Sequence, residues 1–257
     1  LEKKFPVLDV SGKVALVTGS TKGIGNGIAL ALAENGADLI ITSRHQDECE
    51  KVAETIRGMG RKALAKASDV TNAATIKALV EAAVNEYGRI DILVNNAGTA
   101  ITKRAEDLEE ADWDRVINVD LKGVFLCSIE VGKQMIAQKR GKIINVSSIF
   151  GIVGERMVLP YCVAKSGVIQ MTRALALEWA KYNIQVNALC PGYVVTPMNE
   201  ADIRGNEKIY NNIMKKTPMR RLGEIEDIVG AVVYLSSEAS NFMTGQTMVV
   251  DGGWTAE

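Results

Sequence analysis

Tyr161 and Lys165 stand four residues apart in Pro160-Tyr161-Cys162-Val163-Ala164-Lys165. On a helix that spacing places both side chains on one face. A free phenol has a pKa of about 10, too high for an efficient proton acceptor near neutrality. An ammonium about 4 Å away, at an effective dielectric of about 20, favours the phenolate by roughly 4 kcal/mol, or about 3 pKa units, before the opposing cost of desolvating both groups. Such a pair can give or take a proton at a substrate oxygen. Ser147 and Ser148 precede it, at the end of an apolar run. Neighbouring strand residues face opposite sides, so one of the two hydroxyls would face the pocket.

A second constellation lies near the N-terminus, in Thr18-Gly19-Ser20-Thr21-Lys22-Gly23-Ile24-Gly25. Glycines permit a tight turn and close approach of backbone to a ligand. A helix N-terminus offers unpaired N–H groups and partial positive charge to a pyrophosphate. The spacing is GxxxGxG rather than GxGxxG. A glycine-rich turn alone could be purely structural, but here an apolar run precedes it and an Ala- and Leu-rich helical pattern follows, the context a dinucleotide loop requires. An NAD site usually carries an acid about 20 residues further on, at the ribose 2′-OH. That region reads Ile41-Thr42-Ser43-Arg44, and Asp47 and Glu48 fall in the next helix. A guanidinium can bind a 2′-phosphate bidentately where a carboxylate would repel it. Arg44, with Lys22 as a second cation, favours NADP(H) and leaves NAD(H) open.

These residues must be positioned by the elements between them. Strands are expected at Val14–Thr18, Asp38–Thr42, Lys62–Ala67, Ile90–Val94, Lys142–Val146, Gln185–Ala188 and Thr247–Val250. They are short apolar or β-branched runs, as strands covered on both faces tend to be. Helical patterns run over Ile24–Asn35 (stopped by Gly36), Asp47–Gly58, Asn72–Tyr87 (capped by Thr71), Glu110–Lys139, Tyr161–Lys181 and Glu226–Ser236. The alternation predicts an α/β fold, a doubly wound parallel sheet of about seven strands with helices on both faces. With no repeat or linker, residues 1–257 are expected to form a single dinucleotide-binding and catalytic domain. Residues 193–221 carry Pro197, Gly205, Pro218 and mixed charge, and read as a loop excursion of the kind that often covers sites.

Composition narrows the function classes. The chain has 257 residues, is 47% hydrophobic and carries a formal net charge of -1, so no basic excess points to nucleic acid. No apolar run approaches the ~18 residues of a membrane span. The first ten residues show no apolar signal segment. Four scattered cysteines and one histidine, His45, exclude a clustered zinc site, a disulfide framework and a His-based triad. The cysteines are expected to be small buried residues, and His45 a solvated one.

Taken together the chain resembles the short-chain dehydrogenase/reductases over nearly its whole length. The matching pieces are TGSTKGIG from Thr18, Asp69-Val70, NNAG over Asn95–Gly98, Asn118 in Asn-Val-Asp, Ser148, YCVAK over Tyr161–Lys165, PGYVVT over Pro191–Thr196, and VDGG near the C-terminus. The resemblance implies a Rossmann-type fold and reversible interconversion of ketone and alcohol. It implies that Tyr161 is the general acid/base, and that Lys165 lowers its pKa and holds the nicotinamide ribose. Ser148, selected over Ser147 by family spacing, would bond the substrate oxygen. Asn118 would interrupt its helix and position a water that links Lys165 to solvent. The cofactor would be held by Gly19, Thr21, Lys22, Gly23, Ile24, Gly25, Ser43, Arg44, Asp69, Val70, Asn96, Gly98, Pro191, Gly192, Val194 and Thr196, besides Tyr161 and Lys165. Asp69 and Val70 would meet the adenine, Asn96 the adenosine side, and Thr196 the nicotinamide amide. A cytoplasmic homotetramer acting on a small carbonyl or alcohol compound follows from the same resemblance.

The stretch Glu178–Asn187 and the ending Asp251-Gly252-Gly253-Trp254 are similar to gluconate 5-dehydrogenase-like and deoxygluconate dehydrogenase-like members. A sugar acid would need a cation for its carboxylate, and Arg104 and Arg156 are candidates. The alternatives are a 3-oxoacyl-(acyl carrier protein) reductase or general carbonyl reductase, and, more remotely, a non-catalytic nucleotide-sensing protein on the same fold.

Overall fold

The computed structural model describes residues 8–196, 199–200, 203 and 205–256. Its centre is a seven-stranded sheet in the order β3-β2-β1-β4-β5-β6-β7. All neighbours are parallel: β1 (Val14–Thr18), β2 (Asp38–Thr42), β3 (Ala63–Ala65), β4 (Ile92–Asn95), β5 (Gly141–Val146), β6 (Ile184–Pro191) and β7 (Thr247–Val250). The strand order reverses direction beside β1, where β2 and β4 flank it, and open α/β sheets bind ligands outside such a switch point.

The alternation of side chains along each strand explains why both faces are covered. In β1, Ala15 and Val17 enter one apolar cluster with Ile28 and Leu32 of α1 (Gly23–Glu34) and Ile228 and Val232 of α8 (Ile225–Ser236). Val14 and Leu16 enter the other, with Ile76 and Leu79 of α3 (Ala73–Tyr87) and Cys127 and Val131 of α5 (Gly123–Gln138). The remaining helices are α2 (Gln46–Gly58), α4 (Glu110–Ile117), α6 (Leu159–Trp179) and α7 (Glu207–Lys216). Among the described residues, no helix is long and apolar enough to cross a membrane.

Several expectations shift. The β3 ladder covers three residues, not Lys62–Ala67, because it is an edge strand bounded by exposed lysines; Lys62 O and Lys66 N still bond β2. The β6 strand is longer than expected, running on to Pro191 against β7. Asn72, not Thr71, caps α3: its side chain accepts the Ala74 N–H, while the Thr71 hydroxyl is bound to Asp69. The helical run over Glu110–Lys139 is α4 and α5 joined through a π-helical turn, Asn118–Lys122.

Within the 193–221 excursion, α7 supplies Ile213 to a small apolar cluster with Ile203 and Leu222. Tyr193 anchors the segment, edge-on to Phe150 at 5.7 Å between ring centroids and 5.0 Å from Trp254. Pro197 lies outside the described residues.

Candidate active site

Pro160 occupies the first turn of α6, where its missing N–H costs nothing. Tyr161 and Lys165 follow on one face, with the Lys165 ammonium 5.4 Å from the centre of the tyrosine ring. Lys165 is 3% exposed. Its Nζ donates to the carbonyl of Val146, at the end of β5, at 3.1 Å. Ser147 points the other way, its Oγ donating to the Lys165 carbonyl at 2.8 Å. Ser148 thus turns to Tyr161, and its hydroxyl also accepts the Phe150 N–H at 3.1 Å. The pleat separates the two serines as strand geometry requires.

The residue standing against Lys165 is Asp120, its Oδ2 3.1 Å from Nζ. Asp120 is fully buried, and its Oδ1 accepts the Thr99 N–H at 2.8 Å. Gly98 closes over the pair: a Cβ there would lie 3.0 Å from Asp120 Oδ2 and 3.6 Å from Lys165 Nζ. Asn118 was the residue expected to serve Lys165. Its backbone carbonyl accepts the Gly123 N–H in the π turn, and no described residue bonds its side chain. The direct contact to Lys165 comes from Asp120, two residues further along the π turn. The helix changes geometry at Asn118 rather than breaking.

Electrostatics also depart from the simple two-group sketch. Burial pushes the Tyr161 phenol above its ordinary range; Lys165 pulls against this, Asp120 adds to the rise, and the Ser148 hydrogen bond lowers it. For Lys165, burial is the largest influence and disfavours the ammonium, but the Asp120 carboxylate together with Tyr161 and Cys190 holds the pKa above its ordinary value. Cys190, on β6 beside this group, is pushed up to about 11 by burial.

The glycine loop lies at the other end of the switch point. Gly19 takes φ +63° and Gly23 φ +55°, a region glycine enters without strain. A Cβ at Gly25 would come within 2.3 Å of both Gly19 O and Asn96 Nδ2. Asn96 ties the loop down, Nδ2 donating to Thr18 O at 3.0 Å and to Gly19 O at 3.2 Å. No side chain caps α1, whose N-cap is Lys22, and its first turn holds no acid. That donor set fits a pyrophosphate. Ile24 packs on the core behind the loop.

Around the 2′ position the outcome is mixed. Arg44 is exposed and forms no ion pair with any described residue. Lys22, expected as a second cation, is instead paired with Glu48 of α2 at 2.7 Å, and Thr21 Oγ1 donates to the other Glu48 oxygen at 3.2 Å. Ser43 is tied into its own turn, its hydroxyl accepting the His45 N–H at 3.2 Å. His45 is exposed, and Cys49, Cys127 and Cys190 are buried; Cys162 is half-buried.

Asp69 accepts both Thr71 N–H and Thr71 hydroxyl on Oδ1, at 2.9 and 2.8 Å. Val70 packs on Gly123. Pro191 ends β6; Gly192 donates to Val250 O at 2.9 Å and lies so near Asp251 that a Cβ would approach its Cα to 2.7 Å. Val194 bridges Gly223, and the Thr196 N–H donates to Asn199 Oδ1 at 2.9 Å. Arg104 and Arg156 are both exposed, on adjacent loops joined by Lys103 N–H to Met157 O at 2.8 Å. Their neighbour Lys103 is committed to Asp112 at 2.6 Å.

Asp120 and Glu48 are the residues that the sequence reading missed. Asp120 had a signal: in Val116, Asp120, Val124 and Cys127 it sits on an otherwise apolar helical face. An acid on such a stripe requires a buried partner.

The family model described as enoyl-(acyl carrier protein) reductase matches residues 19–255. A 2-dehydro-3-deoxy-D-gluconate 5-dehydrogenase of Escherichia coli is 42% identical over 248 residues, covering 96% of this chain and 97% of that protein. A 3-oxoacyl-[acyl-carrier-protein] reductase of Thermotoga maritima is 39% identical over 244 residues, covering 95% of this chain and 98% of its own. The crystal structure of a gluconate 5-dehydrogenase from Burkholderia cenocepacia in complex with NADP and tartrate superposes with a TM-score of 0.94 at 36% identity, covering 97% of this chain and 98% of that one. With the parallel sheet, the glycine loop and the clustered Ser148, Tyr161 and Lys165, these likenesses establish that the chain belongs to the short-chain dehydrogenase/reductase family, oxidoreductases acting on CH–OH groups.

Proposed function

We propose that this chain is an NADP(H)-dependent oxidoreductase that interconverts a ketone and a secondary alcohol on a sugar acid. The observation that carries the chemistry is the convergence of Ser148 and Lys165 on the half-buried phenol of Tyr161. The bound nicotinamide supplies or accepts the hydride. Ser148 orients the substrate oxygen by hydrogen bonding, Tyr161 gives or takes the proton there, and the Lys165 ammonium favours the phenolate. The uncapped α1 N-terminus receives the pyrophosphate, and Arg44, which pairs with no described residue, receives the 2′-phosphate.

The sugar-acid assignment draws on the likeness to sugar-acid dehydrogenases and on two exposed arginines, Arg104 and Arg156, on adjoining loops. Each can take a carboxylate bidentately. The chain also assembles as a homotetramer, consistent with the exposure of Phe125, Leu177 and Phe242, and sedimentation as a monomer would end that assignment.

The test is NADPH consumption with 5-ketogluconate against an acetoacetyl thioester. Preference for the thioester would favour the acyl-carrier reading, for which the exposed Lys215 and Arg220 offer basic charge beside Lys216 and Arg221, which are paired with Glu155 and Asp227. Tyr161→Phe removes only the hydroxyl and is expected to lower kcat by about 10²–10⁴-fold. Near wild-type turnover in that variant would sink the assignment of the base.

A further inference from the structure

We propose that Asp120 is the positioning residue for Lys165, a core-facing carboxylate in the π turn between α4 and α5 that holds the ammonium beneath Tyr161. The inference rests on the reading of Tyr161 as the general acid/base.

Three observations carry it. Asp120 is fully buried and Lys165 nearly so, and their charged atoms are 3.1 Å apart. Each partner is independently anchored, Asp120 by the Thr99 N–H at 2.8 Å and Lys165 by the Val146 carbonyl at 3.1 Å. The loop crosses the pair at Gly98, where any side chain would press on Asp120 at 3.0 Å. A buried carboxylate with no cation is strongly disfavoured, so the pair acts as a unit.

The consequence concerns charge. Lys165 alone would stabilise the phenolate; a carboxylate 3.1 Å from it cancels part of that field and keeps the lysine protonated. The ionisable groups facing the phenol and its lysine, among the described residues, are Asp120 from the π turn, Cys162 from α6 and Cys190 from β6. Burial pushes the Cys190 thiol up to about 11, so Asp120 is the anion that matters. While Lys165 stays an ammonium, neutralising Asp120 lets the phenol lose its proton at lower pH. In alcohol oxidation, where the phenolate accepts a proton, the rising limb of the pH profile moves down. In ketone reduction, where the phenol donates, the falling limb moves down as well.

The experiment measures kcat/KM against pH for D-gluconate oxidation with NADP+ in the wild type, Asp120→Asn, Asp120→Ala and Tyr161→Phe. A substrate-free ultraviolet titration of the tyrosines runs in parallel, with Tyr161 assigned by its loss in Tyr161→Phe. Asp120→Asn, which keeps the acceptor for Thr99 N–H, is expected to shift the limb and the Tyr161 titration down by about one pH unit or more. It should retain kcat within about tenfold, while Asp120→Ala loses more, so the amide partly rescues. Coincident titrations in wild type and Asp120→Asn overturn the proposal. If Asp120→Asn does not fold, the Lys165 Cε carbon-13 shift is followed in the wild type: an ammonium persisting beyond pH 10.5 supports the pairing, and deprotonation below it overturns it. Turnover surviving in Tyr161→Phe would instead refute the underlying reading. An inactive Tyr161→Phe with an unmoved Asp120→Asn profile refutes the role of Asp120 alone.

Discussion

Two lysine–carboxylate pairs flank the C-terminal edge of the sheet, and their surroundings differ far more than their lengths. Lys22 and Glu48 lie 2.7 Å apart with side chains 69% and 27% exposed. Lys165 and Asp120 lie 3.1 Å apart with side chains 4% and 0% exposed. The shorter contact contributes less. An exposed pair is worth little, because water takes up either charge when its partner leaves. Removing one partner of a buried pair costs about 3–5 kcal/mol, because the other charge is stranded. The outer pair is therefore free to exchange partners with a ligand, and the inner one is a fixed part of the site.

The largest expected effect tests that contrast directly. Asp120→Ala should lower the unfolding free energy by about 3–5 kcal/mol, and Glu48→Ala by far less, both read from denaturant unfolding. Equal losses in the two variants would remove the distinction. Next in size is Arg44→Asp, which should weaken NADPH binding about 10–100-fold by replacing a charge-assisted contact with a repulsion, and leave NADH binding unchanged or tighter. Fluorescence titration of both cofactors checks it; undiminished NADPH affinity would show that Arg44 does not hold the 2′-phosphate. The smallest effect sharpens the outer pair. Glu48→Gln frees Lys22 and should tighten NADPH binding by about a few-fold, with the gain fading as salt is raised. A salt-independent gain, or one shared equally by NADH, would rule out a charge-based competition between Glu48 and the 2′-phosphate.

The strands that were easiest to read are those buried on both faces, such as β1 and β2, whose observed bounds coincide with the apolar runs. The edge strand β3 was overread because flanking lysines can continue an extended chain without joining the ladder. The cap of α3 fell on Asn72 rather than Thr71 because Asp69 had already claimed the threonine hydroxyl, a contact outside the helix. The Tyr161–Lys165 spacing was legible because a single helix carries both residues. The Lys22–Glu48 pairing was not legible because Glu48 is 26 residues away and reaches Lys22 only once α2 packs beside the glycine loop.

Sequence alone determined the order of elements, the glycine loop between β1 and α1, and the face shared by Tyr161 and Lys165. These depend on periodicity and short-range spacing, which survive without a fold. Tertiary structure decided which of Ser147 and Ser148 turns to the phenol, that Asp120 meets Lys165, and that Lys22 pairs with Glu48. Each of those choices pairs residues from different elements, and the preference depends on burial, which exists only after the elements pack.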